Sequence, residues 1–347
     1  FPDSTVQATA PRVGMVNRII NGAMTIDQRN VGAAVTSGFP VDRFTMTNTT
    51  DGTFSAQQDS SAPSGFTNSL KITITGADTS VTTTQYLSIR QKIEGFNISD
   101  FGLGTASAKT FTVSFWVRSS LTGVFGGAAA NSAANRAYPF TYTISVADTW
   151  EQKTVTIAGD TTGTWLTTNG TGLQLFFGLG AGPDRSGTAG VWNSNNNTSA
   201  TGATSVVGTN GATFYITGVQ LEKGSTATDF EYVDYGRQLQ MCQRYYEWGV
   251  ASGSGYAGVT AIFDAGSTSN IDFKASKRAV PTMTNMTLSG NQYPNNQSNS
   301  VPRYENGFSR AFRFTTEHNT TFWNVTTGAG GSTGVAGHQI IWNASAE

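Results

Sequence analysis

The residues that could support metal chemistry are few and widely separated in this sequence. His318 and His338 lie twenty residues apart, and Cys242 is the single cysteine. This spacing does not match the paired ligands of a zinc site, and no Asp-rich loop of the EF-hand type occurs. The sequence therefore predicts no cofactor, although one structural calcium ion held by backbone carbonyls and scattered Asp side chains stays open.

Two short motifs match functional signatures only in their letters. Gly330–Gly334 fits the G-x-S-x-G pattern of a nucleophile elbow, which requires a strand before it and a helix after it. Gly253–Gly258 fits a dinucleotide-binding pattern, which also requires a following helix. Because strand-like sequence follows both motifs, we expect neither to be functional, and we expect the protein not to be an enzyme.

Glycoside hydrolysis is the one reaction that composition leaves open. It requires only two carboxylates that flank a cleft. The chain has 22 acidic residues, but no motif singles out a pair. A glycan depolymerase is therefore kept as an alternative.

Exposed aromatic side chains indicate a binding function more directly. Sugars stack their C–H faces on Trp and Tyr rings, while their hydroxyl groups pair with amide, carboxylate and guanidinium groups. Four aromatic residues lie in or beside polar, Asn- or Gly-rich segments and are the predicted glycan contacts: Trp192, Tyr256, Tyr304 and Trp323. Each could instead be a half-buried anchor beneath its own loop.

Composition indicates an all-β protein of two domains. The chain has 347 residues, more than one ordinary core holds. Thr and the aromatic residues favour strands, and the 40 glycines, with many Asn and Ser, favour turns. Charged residues are 12% and the net charge is −1, which argues against nucleic-acid binding. One cysteine excludes an internal disulfide, and no apolar run is long enough to insert into a membrane.

Hydrophobic alternation predicts the strands of a jelly-roll sandwich. Phe111, Val113, Phe115 and Val117 alternate with polar residues and Trp116. The predicted strands of this domain are Gly14–Ile26, Val41–Thr47, Ser69–Thr75, Gln85–Ile93, Thr110–Arg118, Phe140–Val146, Gln152–Ile157, Gly172–Leu179 and Ala212–Leu221. Gly123–Asn135 and Ala181–Gly211 are predicted loops.

A short helix over Arg237–Glu247 is predicted to separate the two domains. Leu239, Cys242 and Tyr246 form one apolar stripe on it, and we expect this stripe at a domain or subunit interface. The predicted organisation is an arm at 1–12, a jelly-roll β-sandwich at 13–232, a helical connector at 233–248 and a smaller β-sandwich domain at 249–347.

Several segments resemble one family of structural modules. Asn17–Asn30 has an Asn-Gly stretch and a Gln-Arg pair, and Val41–Phe44 has an Asp-Arg-aromatic. Leu87–Phe96 and Phe111–Ser119 resemble the middle strands of that family, and Phe214–Glu247 resembles its closing segment. The family is that of jelly-roll modules in bacteriophage tail-fibre and related receptor-binding proteins, and the likeness covers about two-thirds of the chain.

The resemblance implies a carbohydrate-binding-module-like jelly roll, a location in the virion and a homotrimer. We therefore expect a tail-fibre or tail-tip protein that attaches the particle to a host surface glycan. Its expected partners are further copies of itself, other virion proteins and the glycan, without nucleic acid or membrane insertion. A head fibre or capsid-decorating protein is the main alternative.

Overall fold

The chain, described by a computed structural model, divides into two compact units. The structure describes 15–253 and 274–279, and as strands 282–288, 291–293, 301–305, 308–317, 320–327 and 338–345. The first unit contains the described residues up to Thr25 together with Gly32–Pro40 and Phe44–Tyr232. The second contains Ile26–Val31, Val41–Arg43 and the chain from Val233 onward. Two short segments that the sequence analysis placed in the jelly roll thus belong to the second unit, and the predicted arm at 1–12 lies outside the described residues.

The first unit is a β-sandwich, as the alternation predicted. Its strands are β1 (Gly38–Val41), β2 (Phe44–Asn48), β3 (Thr53–Asp59), β4 (Ser69–Gly76), β5 (Tyr86–Glu94), β6 (Phe111–Ser119), β7 (Gly123–Ala130), β8 (Ala137–Ile144), β9 (Glu151–Ile157), β10 (Thr171–Ala181), β11 (Ser186–Gly187), β12 (Ser199–Ala200) and β13 (Thr213–Lys223). Short 3-10 turns lie at Gly95–Asn97, Ser99–Phe101 and Pro183–Arg185. A five-stranded sheet has the order β3-β4-β13-β6-β9, and a six-stranded sheet has the order β1-β2-β5-β10-β7-β8.

Aromatic packing between the two sheets forms the core. Phe111, Val113, Phe115 and Val117 of β6 are fully buried. The Phe115 ring lies 4.9 Å from that of Phe177 on β10, in an edge-to-face arrangement at 72°. Such pairs stabilise a core beyond the area that they bury. The period of two in the sequence therefore assigned this strand's faces correctly.

The segment Gly123–Asn135 was wrongly predicted as a loop, since its first eight residues form β7. The reason lies in its Gly and Ala residues, which have weak strand propensity. A methyl group at Gly126 would meet Ser199, as would one at Gly178 of the neighbouring β10. The small residues are present because a distant loop segment lies directly on this part of the sheet.

The described part of Gly14–Ile26, predicted as a strand, instead forms turns and irregular backbone. Side-chain amides supplement a few backbone hydrogen bonds to β13 here. The Ile19 amide donates to Asn17 Oδ1 (2.9 Å), and the Ile20 amide donates to Gln91 Oε1 (2.9 Å). Gln91 Nε2 donates in return to the Ile20 carbonyl (2.9 Å). An apolar run that forms no strand of its own is thus bonded to β13 through backbone groups and to β5 through the Gln91 side chain.

The continuous part of the second unit, from Val233 onward, opens with helix α1 (Tyr235–Gln243). The helix is capped by Asp234, whose side chain accepts from the Arg237 amide at 3.0 Å. The strands of this unit are β14 (Tyr246–Gly253), β15 (Thr282–Leu288), β16 (Asn291–Tyr293), β17 (Val301–Glu305), β18 (Phe308–Glu317), β19 (Thr320–Thr327) and β20 (His338–Ser345). They form a four-stranded sheet, β14-β20-β15-β16, and a three-stranded sheet, β17-β18-β19. In the described ranges, no helix is both long and apolar enough to span a bilayer.

The predicted helix is shorter than expected, because β14 already begins at Tyr246. Two arginines stack on the tyrosines that follow α1. The guanidinium carbon of Arg43 lies 3.4 Å from the Tyr245 ring centroid, and that of Arg29 lies 3.6 Å from the Tyr246 centroid. Asp42 joins the group, since its Oδ1 accepts from Arg29 Nη1 at 3.3 Å. We call Arg29, Asp42, Arg43, Tyr245 and Tyr246 the arginine–tyrosine clasp.

The motifs that carried the family resemblance have a structural role in the clasp, where their side chains are largely buried. Arg43 is 3% exposed and Tyr245 is 1% exposed. Gln28 adds a hydrogen bond from its side-chain amide to the Tyr246 carbonyl (3.0 Å). Arg43 also has φ of 72°, a left-handed conformation that costs a side-chain-bearing residue roughly 1–2 kcal/mol. The stacked contact offsets this cost.

We expect Tyr142→Phe to stabilise the sandwich. Tyr142 packs edge-to-face on Phe115 at 5.0 Å, yet its buried hydroxyl has no hydrogen-bond partner among the described residues. Burial also raises the pKa of this hydroxyl, which stays protonated. Removing an unsatisfied hydroxyl should raise the free energy of unfolding by about 1 kcal/mol in chemical denaturation. Tyr232→Phe is the control, because it removes a hydroxyl that is hydrogen-bonded to the Gly65 carbonyl (2.8 Å). This variant should not raise the free energy of unfolding. A loss of stability in Tyr142→Phe would contradict this account.

We expect Arg43→Lys to destabilise the second unit. Lysine keeps the charge but loses the planar group that stacks on Tyr245. A desolvated cation–π contact of this kind contributes about 2 kcal/mol, to be measured as a shift in the denaturation midpoint. Arg237→Lys, an exposed position on α1, should leave the midpoint unchanged. Equal midpoints for both variants would show that the stacking contributes little.

Candidate functional site

The outer face of the five-stranded sheet presents a row of cations, amides and aromatic rings. Strand alternation turns Arg118 outward because its neighbour Val117 is in the core. The antiparallel registers pair Gln57 with Lys71, Lys71 with Tyr215, and Tyr215 with Arg118. These four side chains therefore form one line across β3, β4, β13 and β6.

The ring of Tyr215 is the centre of this line. The Arg118 guanidinium carbon lies 4.9 Å from its centroid, and Lys71 Nζ lies 5.6 Å away. Trp150, which directly precedes β9, lies 6.1 Å from it at 69°. Tyr215 is 7% exposed, whereas Trp150 and the outward-facing Trp116 are half-buried. The two tryptophans therefore offer free ring surface beside fixed cations.

An aromatic trio continues this surface. The centroid distances are 5.1 Å for Phe66–Phe230, 5.7 Å for Phe66–Tyr232 and 5.0 Å for Phe230–Tyr232. Gly218 has φ of 61°, and a methyl group there would meet both Phe66 and Trp116. The trio therefore adjoins Trp116. We call Trp116, Trp150, Tyr215, Phe66, Phe230 and Tyr232 the aromatic face.

Hydrogen bonds fix the segment that carries Phe230 and Tyr232. The Glu231 amide donates to Gln220 Oε1 (2.8 Å), and the Glu231 carboxylate accepts from the Asn17 amide (2.6 Å). Tyr232 is 63% exposed although its hydroxyl is bonded to the Gly65 carbonyl. An exposed ring held in one orientation is suited to stacking, because little conformational entropy is lost on binding.

Lys71 and Arg118, the cations of this face, can still donate hydrogen bonds to a ligand. Lys71 is 3.5 Å from Asp59. Burial alone would lower the pKa of Lys71, but Tyr215 and Asp59 together raise it, so the ammonium stays charged. Arg118 donates to Ser61 Oγ (3.0 Å) and lies 3.8 Å from Asp148. Such half-exposed donors can bond hydroxyl groups, while the adjacent rings take apolar C–H faces.

Trp192, one of the predicted contacts, anchors the long loop. Its indole N–H donates to the Ala158 carbonyl (2.7 Å). Its ring contacts Tyr138 at 5.2 Å and Trp165 at 5.4 Å, both edge-to-face. Trp165 in turn bonds Asp160, which is held by two bonds from Arg136 (2.6 and 2.8 Å). Trp192 therefore has a structural role, and its glycan contact stays a prediction.

The other predicted contacts lie in the second unit or outside the described residues. Tyr304 lies in β17, and Trp323 lies in β19 opposite Phe314 of β18. Tyr256 lies outside the described residues. Glycan binding by these three residues also stays a prediction.

The helix stripe predicted at an interface is partly buried within its own chain. Cys242 is fully buried, Tyr246 belongs to the arginine–tyrosine clasp, and Leu239 is half-buried. Its assignment to a domain or subunit interface stays a prediction. Among the residues whose side chains are described, no group of three His, Cys, Asp or Glu residues could hold a metal ion.

No sequence pattern indicated the aromatic face. The alternation of β6 places Trp116 and Arg118 on the same side of the strand, but nothing in the sequence distinguishes them as ligand contacts. Trp150, Phe66 and Tyr232 are far apart along the chain. They join this face through strand order and through the register shift of β13 between Thr217 and Gln220. Only the register between β6 and β13 could have shown that Arg118 lies beside Tyr215.

No protein-family model matches the sequence, and no curated protein matches it. Several solved structures align with part of the chain at low similarity. The tailspike protein 4 enzymatically active domain of Bacteriophage CBA120 matches at 12% identity and a TM-score of 0.32, over 60% of this chain and 22% of that one. A sugar-binding protein from Bacteroides thetaiotaomicron, described as putative, matches at 14% identity and a TM-score of 0.34, over 60% of this chain and 100% of that one. TmCBM61, in complex with beta-1,4-galactotriose, matches at 9% identity and a TM-score of 0.31, over 60% of this chain and 99% of that one.

Proposed function

We propose that this protein attaches a bacteriophage particle to its host, as part of a tail fibre or tail tip, by binding a cell-surface glycan. The binding surface is the aromatic face, and the protein acts without catalysis or a cofactor. The observation that carries the proposal is the convergence of Trp116, Trp150 and Tyr232 with Lys71 and Arg118 on one outer sheet face.

The chemistry of the aromatic face suits a neutral or weakly polar sugar chain. Sugar rings have apolar C–H faces that stack on indole and phenol rings. Their hydroxyl groups bond to the amide of Gln57 and to the cations that flank Tyr215. Each contact of this kind is weak, because it replaces bonds to water of similar strength. Particle attachment therefore needs several copies of the site.

A homotrimer provides those copies. Once one site is bound, linked sites bind at a raised effective concentration, so avidity exceeds the affinity of a single site. Closed cyclic symmetry is common among such assemblies. The low charge of the chain, 12% of residues, permits extensive burial between subunits.

We expect Trp116→Ala, Trp150→Ala and Tyr232→Ala each to reduce adsorption of particles to host cells, because each removes a stacking surface. Thermal unfolding should change little, since all three rings are partly exposed. The matched control is Phe96→Ala, which removes an aromatic ring that is 59% exposed and lies outside the aromatic face. Trp323→Ala and Tyr304→Ala test the contacts predicted in the second unit.

The outcomes separate the candidate functions. Normal adsorption by all three variants, with losses for Trp323→Ala or Tyr304→Ala, would move the binding site to the second unit. Normal adsorption of particles that lack the whole chain would identify a capsid-decorating protein. Release of sugar from host polysaccharide by the purified chain would identify a depolymerase.

We expect the purified chain to be a trimer at micromolar concentration, measured by light scattering. The physical reason is that weak sites support attachment only when they are linked. A mass equal to a single chain of 36.7 kDa would contradict the proposal of a homotrimer.

A further inference from the structure

Each cation beside the aromatic face has an acid next to it. Lys71 Nζ lies 3.5 Å from Asp59 Oδ2, and Arg118 Nη2 lies 3.8 Å from Asp148 Oδ1. The two cations belong to β4 and β6, the strands on either side of β13, which carries Tyr215. We call Lys71–Asp59 and Arg118–Asp148 the donor–acceptor pairs, because each joins one hydrogen-bond donor to one acceptor.

Neither donor–acceptor pair is closed by a direct hydrogen bond. Hydrogen bonds between N and O have lengths of about 2.7–3.2 Å, which both distances exceed. By contrast, Lys223 and Asp100 approach to 2.6 Å, although their side chains are 44% and 40% exposed. The side chains of the two donor–acceptor pairs are themselves 18–59% exposed. The hydroxyl groups of a ligand can therefore reach the facing N–H groups and carboxylate oxygens.

Ser61 holds both pairs in place. Its amide donates to Asp59 Oδ1 (2.8 Å), so the second oxygen of this carboxylate remains directed at Lys71. Its hydroxyl accepts from Arg118 Nη1 (3.0 Å), which leaves Nη2 on the side of Asp148. Asp148 has a left-handed φ of 54°, and its amide donates to the last carbonyl of β6 (2.7 Å). Because these groups are fixed before a ligand arrives, the entropic cost of ordering them on binding is low.

The pairs favour a ligand without net charge, since each cation is matched by one carboxylate. An anionic sugar group would approach Asp59 and Asp148 together with the cations, and like charges repel. Sugar hydroxyl groups avoid this repulsion, because each can donate or accept. Two hydroxyl groups on adjacent ring carbons are close enough to enter one pair together. One then donates to the carboxylate, and its neighbour accepts from the cation.

We propose that each donor–acceptor pair binds two adjacent hydroxyl groups of one sugar residue, so that the aromatic face selects a neutral glycan with free vicinal hydroxyl pairs. The inference rests on the proposed function in taking this face as a glycan site. In a chain of 1,4-linked hexoses, every residue keeps its 2- and 3-hydroxyl groups free. In a 1,3-linked chain the linkage uses the 3-position, so internal residues have no vicinal pair. The proposed site therefore distinguishes two linkages of the same sugar.

The test uses the full chain and two neutral probes, the β-1,4-linked and the β-1,3-linked pentamers of glucose. Titration calorimetry should show the 1,4-linked pentamer binding about tenfold more tightly, because the other probe loses the bonds of one charged pair. Added salt should change both affinities little, since each pair is neutral as a unit and neither probe is charged. Purified host-cell polysaccharide is titrated in parallel.

Three variants test the pairs themselves. Asp59→Asn and Asp148→Asn should each reduce the preference for the 1,4-linked pentamer by about threefold or more, because the amide keeps the carboxylate's shape but loses its charge-assisted bond. Asn also tolerates the left-handed backbone of Asp148. Lys71→Met should have the same effect by removing a donor. The matched control is Asp184→Asn, which changes an exposed carboxylate outside the aromatic face and should preserve the preference.

Melting temperatures should change little in these variants, because exposed ion pairs contribute little to stability. Several results would overturn the proposal. They are equal binding of the two pentamers, binding of neither pentamer while host polysaccharide binds, or a preference that survives all three substitutions in the pairs. A melting temperature far lower in all three variants would assign the pairs a structural role and would also overturn it.

The inference and the proposed function can fail separately. The same titrations are made with Trp116→Ala and Trp150→Ala. Loss of binding in these variants, with equal binding of both pentamers by the unchanged chain, retains the aromatic face and removes the selection of vicinal hydroxyl pairs. Host polysaccharide that binds equally well to both tryptophan variants and to the unchanged chain, or that does not bind at all, removes the aromatic face and the inference with it.

Discussion

The contact between Phe115 and Phe177 determines which side of each central strand faces outward. Their rings meet edge-to-face at 4.9 Å between the two sheets. Because strand side chains alternate, the next residue of each strand must face away from the core. Trp116 and Phe176 therefore lie on opposite outer faces of the same sandwich. The aromatic face derives from this packing constraint, whereas Phe176 is covered and 3% exposed.

The two outer faces are completed in different ways. On the five-stranded sheet, the segment that follows β13 carries Phe230 and Tyr232 and adds their rings beside Trp116. On the six-stranded sheet, the loop after β10 lies on the strands themselves, and Gly126 and Gly178 permit its close approach. One face therefore offers open rings with cations at their edges, whereas the other is covered, so that Phe176 and Ala128 are buried. This difference is why we assign ligand stacking to the first face.

The arginine–tyrosine clasp explains why the most specific sequence motifs do not mark a ligand site. The Gln-Arg pair, the Asp-Arg pair and the two tyrosines are distant in sequence but pack on one another in the second unit. Beside them, Glu247 accepts from Lys277 Nζ at 2.8 Å, with both side chains nearly inaccessible. A buried charge of either sign needs such a partner. These motif residues therefore have an internal structural role, and binding depends on other residues.

The sequence by itself determined the all-β class, the short helix and the inward side of β6, because alternation and turn residues are local properties. It also indicated the motifs that form the clasp, although not that they meet. Tertiary structure alone decided that Gly123–Ala130 is a strand, since its small residues are explained by Ser199, which lies about seventy positions further along the chain. It alone placed Arg118 and Lys71 beside Tyr215. Register and loop placement are long-range pairings, and no pattern within one strand encodes its neighbours.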